Sequence, residues 1–275
     1  MRRLYVLAIG IGITASAGFA QTAGPYEVVK TVKVGGAGGF DYVFADAADR
    51  KLYIPRTGQT PRVTVFNLET LEPVGEIPDT SARGAAVDPK SGHGFSSSSS
   101  KPVKMWDIKT LTVIKSIDVQ GNPDGILFDP FNQRVWVFSH SAPNATVIDA
   151  KDGSVVGTVD LGGAPEQAVT DGNGHLSVDI EDKDNVAVVD AKALQVTAHY
   201  DIAGSAKTPA GLAFDVKHRV LFAACRNPAM MVMLNADDGK IITTLPIGKG
   251  VDGAVFNPST MEAFSSQGDG TLTVI

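Results

Sequence analysis

From about residue 40 onward the chain is built of short runs in which apolar and polar residues alternate. The runs are separated by clusters of Asp, Asn, Gly and Pro. "RKLYIPR", "RVTVFN", "RVWVFS" and "NVAVVD" show the two-residue period of strands, and no amphipathic segment of helical length lies between such runs. The pattern predicts an all-β chain of short antiparallel strands.

The runs recur in a fixed order. "FDYVFADAADRKLYI", "RGAAVDPKSGHGFSS", "PDGILFDPFNQRVWV", "PEQAVTDGNGHLSVD", "PAGLAFDVKHRVLFA" and "VDGAVFNPSTMEAFS" share one layout. Their turn residues are Asp46, Asp88, Asp129, Asp171, Asp215 and Asn257, at intervals of 42, 41, 42, 44 and 42. A second phrase repeats in step, with turn residues Asn67, Asp107, Asp149, Asp190 and Asn235. Asp or Asn suits such turns because its side chain accepts a bond from a backbone N–H about two residues on. Four antiparallel strands per repeat of this length define the blade of a β-propeller.

Six repeats are visible, over about 38–80, 81–120, 121–162, 163–204, 205–249 and 250–275, the last incomplete. "EVVKTVKVGG" resembles a fourth strand such as "TVIKSIDVQG". A strand over 26–36 is therefore expected to close the ring by pairing with the last blade, where an open edge would invite aggregation. Residues 21–275 are read as a single propeller domain.

On "KLYIPRTGQTPRVTVFNLETLEPVGEI", "NATVIDAKDGSVVGTVDLGGAPEQAV" and "KTPAGLAFD" the chain resembles the YVTN-repeat, YncE-like exported β-propellers. The resemblance covers residues 26–275. It implies a propeller fold and export but no chemistry, because the family is defined by its scaffold repeats. "LYIP" is the nearest counterpart of the family's YVTN signature. The family's seven blades imply that six repeats ending in mid-blade belong to a seven-bladed relative truncated at the C-terminus.

The N-terminus changes the expected compartment. "MRR", the apolar "LYVLAIGIGI" and the small-residue "TASAGFA" read as a cleavable signal peptide over residues 1–20, with cleavage after Ala20. Periplasmic or secreted location follows, without a stable membrane anchor. Loss of Arg2 and Arg3 takes the formal charge from −6 to −8, which disfavours nucleic acid as a partner. Cys225 is the only cysteine, so no disulfide forms within the chain and a monomer must be held by packing.

Candidate chemistry follows from the repeat. Five residues before each first turn lie Asp41, Arg83, Asp124, Glu166, Ala210 and Asp252. These positions open the innermost strands, so blade symmetry gathers them around one mouth of the channel. Loops on the same face add Arg56, Arg62, His140, Glu181, Asp182, Arg226 and Asp269. Asp41, Arg83, Asp124, Glu166, Asp252, His140, Arg56 and Arg226 form the candidate ligand-binding set. No cofactor is evident; a divalent cation, Ca²⁺ or Mg²⁺, would be held by Asp41, Asp124, Glu166 and Asp252. The histidines show no zinc-motif spacing, and Trp106 and Trp136 lie in apolar runs that suit packing.

These features point to a non-enzymatic scaffold binding a protein, polymer or small ligand at the channel mouth. A divalent-metal-dependent hydrolase of the lactonase type is the alternative, and a DNA-binding propeller a minor one.

Overall fold

The computed structural model describes residues 26–78, 80, 82–98, 102–142 and 144–275. The signal peptide read over residues 1–20 lies outside them. Gly35–Ile275 forms one unit of the chain and Met1–Val34 another; within the latter, residues 26–34 carry no strand.

The first unit folds as six antiparallel sheets in chain order. The first blade contains β1 (Phe44–Asp46), β2 (Lys51–Arg56), β3 (Arg62–Asn67) and β4 (Pro73–Pro78). The second contains β5 (Ala85–Asp88), β6 (His93–Ser96), β7 (Val103–Asp107) and β8 (Val113–Ile117). The third contains β9 (Pro123–Asp129), β10 (Arg134–Ser139), β11 (Asn144–Asp149) and β12 (Val155–Asp160). The fourth contains β13 (Pro165–Thr170), β14 (His175–Ile180), β15 (Asn185–Asp190) and β16 (Gln195–Asp201). The fifth contains β17 (Lys207–Asp215), β18 (Val220–Asn227), β19 (Met230–Asn235) and β20 (Ile241–Pro246). The sixth has three strands, β21 (Val251–Asn257), β22 (Glu262–Gln267) and β23 (Leu272–Val274). Each sheet is a simple meander, and the inner strands β1, β5, β9, β13, β17 and β21 neighbour one another in turn. The fold is the β-propeller expected from the repeat.

The turn chemistry is as the repeat requires. Asp46 Oδ1 accepts from the Ala48 and Asp49 amides, Asp171 Oδ1 from Asn173, and Asn257 Oδ1 from Ser259. Asp107, Asp149 and Asp190 do the same between third and fourth strands. Asp129 also takes the Thr170 hydroxyl of the next blade at 2.8 Å, so one turn residue fixes its hairpin and spans an interblade seam.

The apolar clusters among the described residues lie between sheets. There are five, one at each successive seam from the first blade to the sixth, so the second to fifth sheets are packed on both faces. Trp106 packs with Tyr53 and Val63 at the first seam, and Trp136 with Leu176 and Val178 at the third. Both indoles are fully buried, in the packing role expected of them. Near the axis the inner strands approach so closely that a side chain does not fit. A Cβ on Gly125 would lie 2.9 Å from the Glu166 carbonyl oxygen, and one on Gly211 would lie 2.8 Å from the Gly253 backbone.

One expectation is overturned. The strand proposed over 26–36 is not formed, and β23 pairs with β22 alone among the described strands. The reason lies in the glycines that end the segment. Gly35, Gly36 and Gly38 all have positive φ, which breaks the pleat of a strand. Their carbonyls bond the Arg56 guanidinium instead, at 3.0, 3.4 and 3.1 Å.

A single side chain ties three blades together at the axis. Gln167 Oε1 accepts from the Leu212 and Ala254 amides, each at 2.9 Å, while Gln167 Nε2 donates to the Ala254 carbonyl at 2.9 Å. Gln167→Ala leaves these groups without partners and is expected to cost about 1–3 kcal/mol, read by urea denaturation of the full chain. A midpoint equal to that of the parent would refute the brace.

Candidate functional site

The residues that open the inner strands owe their direction to β-bulges. Register shifts fall between Pro123 and Ile126, Pro165 and Ala168, Pro209 and Gly211, and Val251 and Gly253. Asp124, Glu166, Ala210 and Asp252 therefore sit in the extra residues of four bulges, which re-aim side chains out of the regular pleat.

A continuous run of charge contacts follows around the mouth. Arg83 Nη1 lies 3.1 Å from Asp41 Oδ2 and 3.4 Å from Asp124 Oδ1, joining the first three blades. His140 Nδ1 lies 3.6 Å from both Asp124 Oδ2 and Glu166 Oε2, and its Nε2 lies 3.0 Å from Glu181 Oε2. Arg226 pairs with Glu181 through one terminal nitrogen and with Asp252 through the other. The fifth blade has Ala210, buried and uncharged, at its first-strand position, and supplies Arg226 from its second strand instead.

Seven of the eight residues in the candidate set meet here: Asp41, Arg83, Asp124, His140, Glu166, Arg226 and Asp252. Arg56 does not join them, because its guanidinium is committed to the glycine carbonyls and is buried. Among the other loop residues, Arg62 pairs with Glu76, Asp182 caps the Ala164 amide and Asp269 caps the Lys249 amide.

The structure adds three residues. Glu181, seen in the sequence only as part of a polar loop, joins His140 to Arg226. The Tyr42 hydroxyl donates to Glu166 Oε1 at 2.9 Å. Asp179 is fully buried, and neither of its carboxyl oxygens has a hydrogen-bond partner. In "HLSVDI" Ser177 and Asp179 look like the solvent side of a strand. Leu176, Val178 and Ile180 fill the third seam, so the alternate face of β14 turns toward the fifth blade and not toward water.

Crowding and desolvation raise the pKa of several carboxyls at the mouth. Burial is the largest cause for Glu166, pushed up to about 7, with Asp124 and Glu181 adding repulsion against the Tyr42 hydrogen bond and His140. Asp41 is pushed up to about 6, first by burial and then by Asp124 and Asp252, with Arg83 partly offsetting them. Burial, with Glu166 and Glu181, holds Asp179 well above the usual range. A cavity of about 160 Å³ adjoins Glu166 between the inner strands, lined by Tyr42, Phe44, Ile126, Phe138 and Gln167 among others.

Fold and site together define a β-propeller with a desolvated, carboxylate-rich channel mouth. No protein-family model matches the chain, and no curated protein matches it.

The raised carboxyls fix a pH dependence. Between the ordinary carboxyl range and about pH 7 the folded chain keeps protons that the unfolded chain has lost, so stability falls as pH rises through that window. Glu166→Gln removes the ionisation and keeps an acceptor for Tyr42. It is expected to raise the melting temperature by about 2–4 °C at about pH 8 and to change it little at about pH 4, where both states are protonated. Equal effects at the two pH values would show that Glu166 is not held in this way.

Proposed function

We propose that this chain is an exported YVTN-type propeller that serves as a non-enzymatic binding scaffold. The ligand it takes at the channel mouth is cationic, a basic peptide segment or a small organic cation. The observation that carries this reading is the gathering of Asp41, Asp124, Glu166, Glu181 and Asp252 around one opening, with Arg83 and Arg226 the arginines that pair with them among the described residues. Carboxylates held in a partly desolvated cleft attract a cation more strongly than the same groups spread over a wet surface. Export rests on the N-terminal segment, and the negative formal charge of −6 favours such a partner over nucleic acid.

One observation favours a second reading, a divalent-metal-dependent hydrolase. Metal-ligating atoms of Asp124, His140 and Glu166 lie within 4.8 Å of one another. That reading requires chelator-sensitive turnover of a lactone panel, which the scaffold does not.

The scaffold reading is tested with fluorescently labelled oligolysine and the full chain. Titration should show saturable binding that weakens with salt and a loss of about tenfold in affinity, about 1.4 kcal/mol, in the Asp124→Asn/Asp252→Asn double variant. Binding that is absent, or unaltered in the double variant, would remove the mouth as the site.

A further inference from the structure

We propose that Asp124, His140 and Glu166 form a three-ligand site for a divalent transition-metal ion of the zinc type, with Glu181 as the carboxylate that orients the imidazole. The inference rests on the acidic mouth that also carries the proposed function, and narrows part of it to one ion and three ligands.

The spacing comes first. His140 Nδ1 stands 3.6 Å from Asp124 Oδ2 and 3.6 Å from Glu166 Oε2. Those separations exceed hydrogen-bond range. They match the edge of a tetrahedron around a metal whose bonds to nitrogen and oxygen are about 2.0–2.2 Å, an edge of about 3.3–3.6 Å. One ligand atom from each of the three residues lies within 4.8 Å of the other two.

The second ring nitrogen gives an independent indication. Nε2 lies 3.0 Å from Glu181 Oε2, and Glu181 is itself gripped by Arg226. A carboxylate there favours the proton on Nε2 and leaves the Nδ1 lone pair turned toward Asp124 and Glu166. Carboxylate behind imidazole is the arrangement that orients a metal-binding histidine.

The third indication is a buried carboxylate oxygen without a hydrogen bond. Asp124 is 7% exposed, and its Oδ1 has no hydrogen-bond partner. Oδ1 lies 3.4 Å from Arg83 Nη1, and Oδ2 lies 3.6 Å from His140 Nδ1. Carboxylates this buried are ordinarily hydrogen-bonded or on a metal. Glu166 uses Oε1 for Tyr42 and keeps Oε2 for the same point.

The same contacts exclude the other acids and the harder ions. Asp41 is held by Arg83 and Asp252 by Arg226, so neither is free to converge. One imidazole with two carboxylates suits zinc-like ions, whereas Ca²⁺ takes six to eight oxygens.

The test is equilibrium dialysis of the full chain against Zn²⁺, with Ca²⁺ in a parallel cell and metal content read by elemental analysis. Expected are about one Zn²⁺ per chain, no comparable Ca²⁺ uptake, and at least a tenfold loss of Zn²⁺ affinity in His140→Ala and in Asp124→Asn. Glu181→Gln should lose about 10–100-fold, while Asp252→Asn stays within about twofold. Circular dichroism verifies folding of each variant. If His140→Ala fails to fold, the visible spectrum of the Co²⁺-loaded parent, altered in His140→Gln, replaces it. Folded parent that takes up no stoichiometric Zn²⁺, or uptake unchanged in the His140 variants, overturns the site. A parent chain that binds oligolysine but takes up no Zn²⁺ sinks this inference alone; one that takes up Zn²⁺ but binds no oligolysine sinks the scaffold reading alone.

Discussion

Everything in this molecule depends on sheets packing side by side with their inner strands almost touching. A four-stranded sheet has two faces to cover, and in the second to fifth blades both are covered by neighbouring sheets, so the apolar clusters among the described residues lie at the seams. At the axis the circumference is smallest. The approach there leaves no room for a Cβ at Gly125 or Gly211, and it brings residues one or two repeats apart in the chain into contact. Asp129 bonding Thr170 and Gln167 bonding Ala254 are both consequences.

The same crowding creates the mouth. Bulges turn Asp124, Glu166 and Asp252 out of their strands where the strands converge, and convergence removes water from around Asp124 and Glu166 while Asp252 stays exposed. Ionised carboxyls in such a place repel one another and lack solvent, so burial heads the causes of the raised pKa of Asp41 and of Glu166. Arg83 and Arg226 each bridge two acids across seams. The blades are thus joined by apolar packing along their faces and by charge at their inner ends.

The fold was legible because the repeat sets it. A turn residue every forty or so positions names the blade, and the spacing of that turn from the strand's start located Asp41, Arg83, Asp124, Glu166 and Asp252. What was not legible is what happens across seams. Tyr42 reaches Glu166 from another blade, and the burial of Asp179 at the end of β14 depends on a neighbouring blade that strand alternation does not name. The direction of Arg56 is hidden for a related reason. Its place in the rim was readable, but the direction of its long side chain was set by carbonyls of a glycine turn that no periodicity encodes.

Register across neighbouring blades explains why the third and fourth carry the densest chemistry. Ser139 pairs with Asn144, Ile180 with Asn185 and Cys225 with Met230, so His140, Glu181 and Arg226 each follow the same position at the end of a second strand. Around the ring they occur as base, acid and base, and each lies within reach of a first-strand bulge in its own or the next blade. His140 is the member whose two nitrogens can serve different partners at once. It stands between Asp124 and Glu166 on one side and Glu181 on the other. A protonated lysine or an arginine there would neutralise the same carboxylates but would offer no lone pair, whereas a neutral imidazole keeps one on the nitrogen that carries no proton.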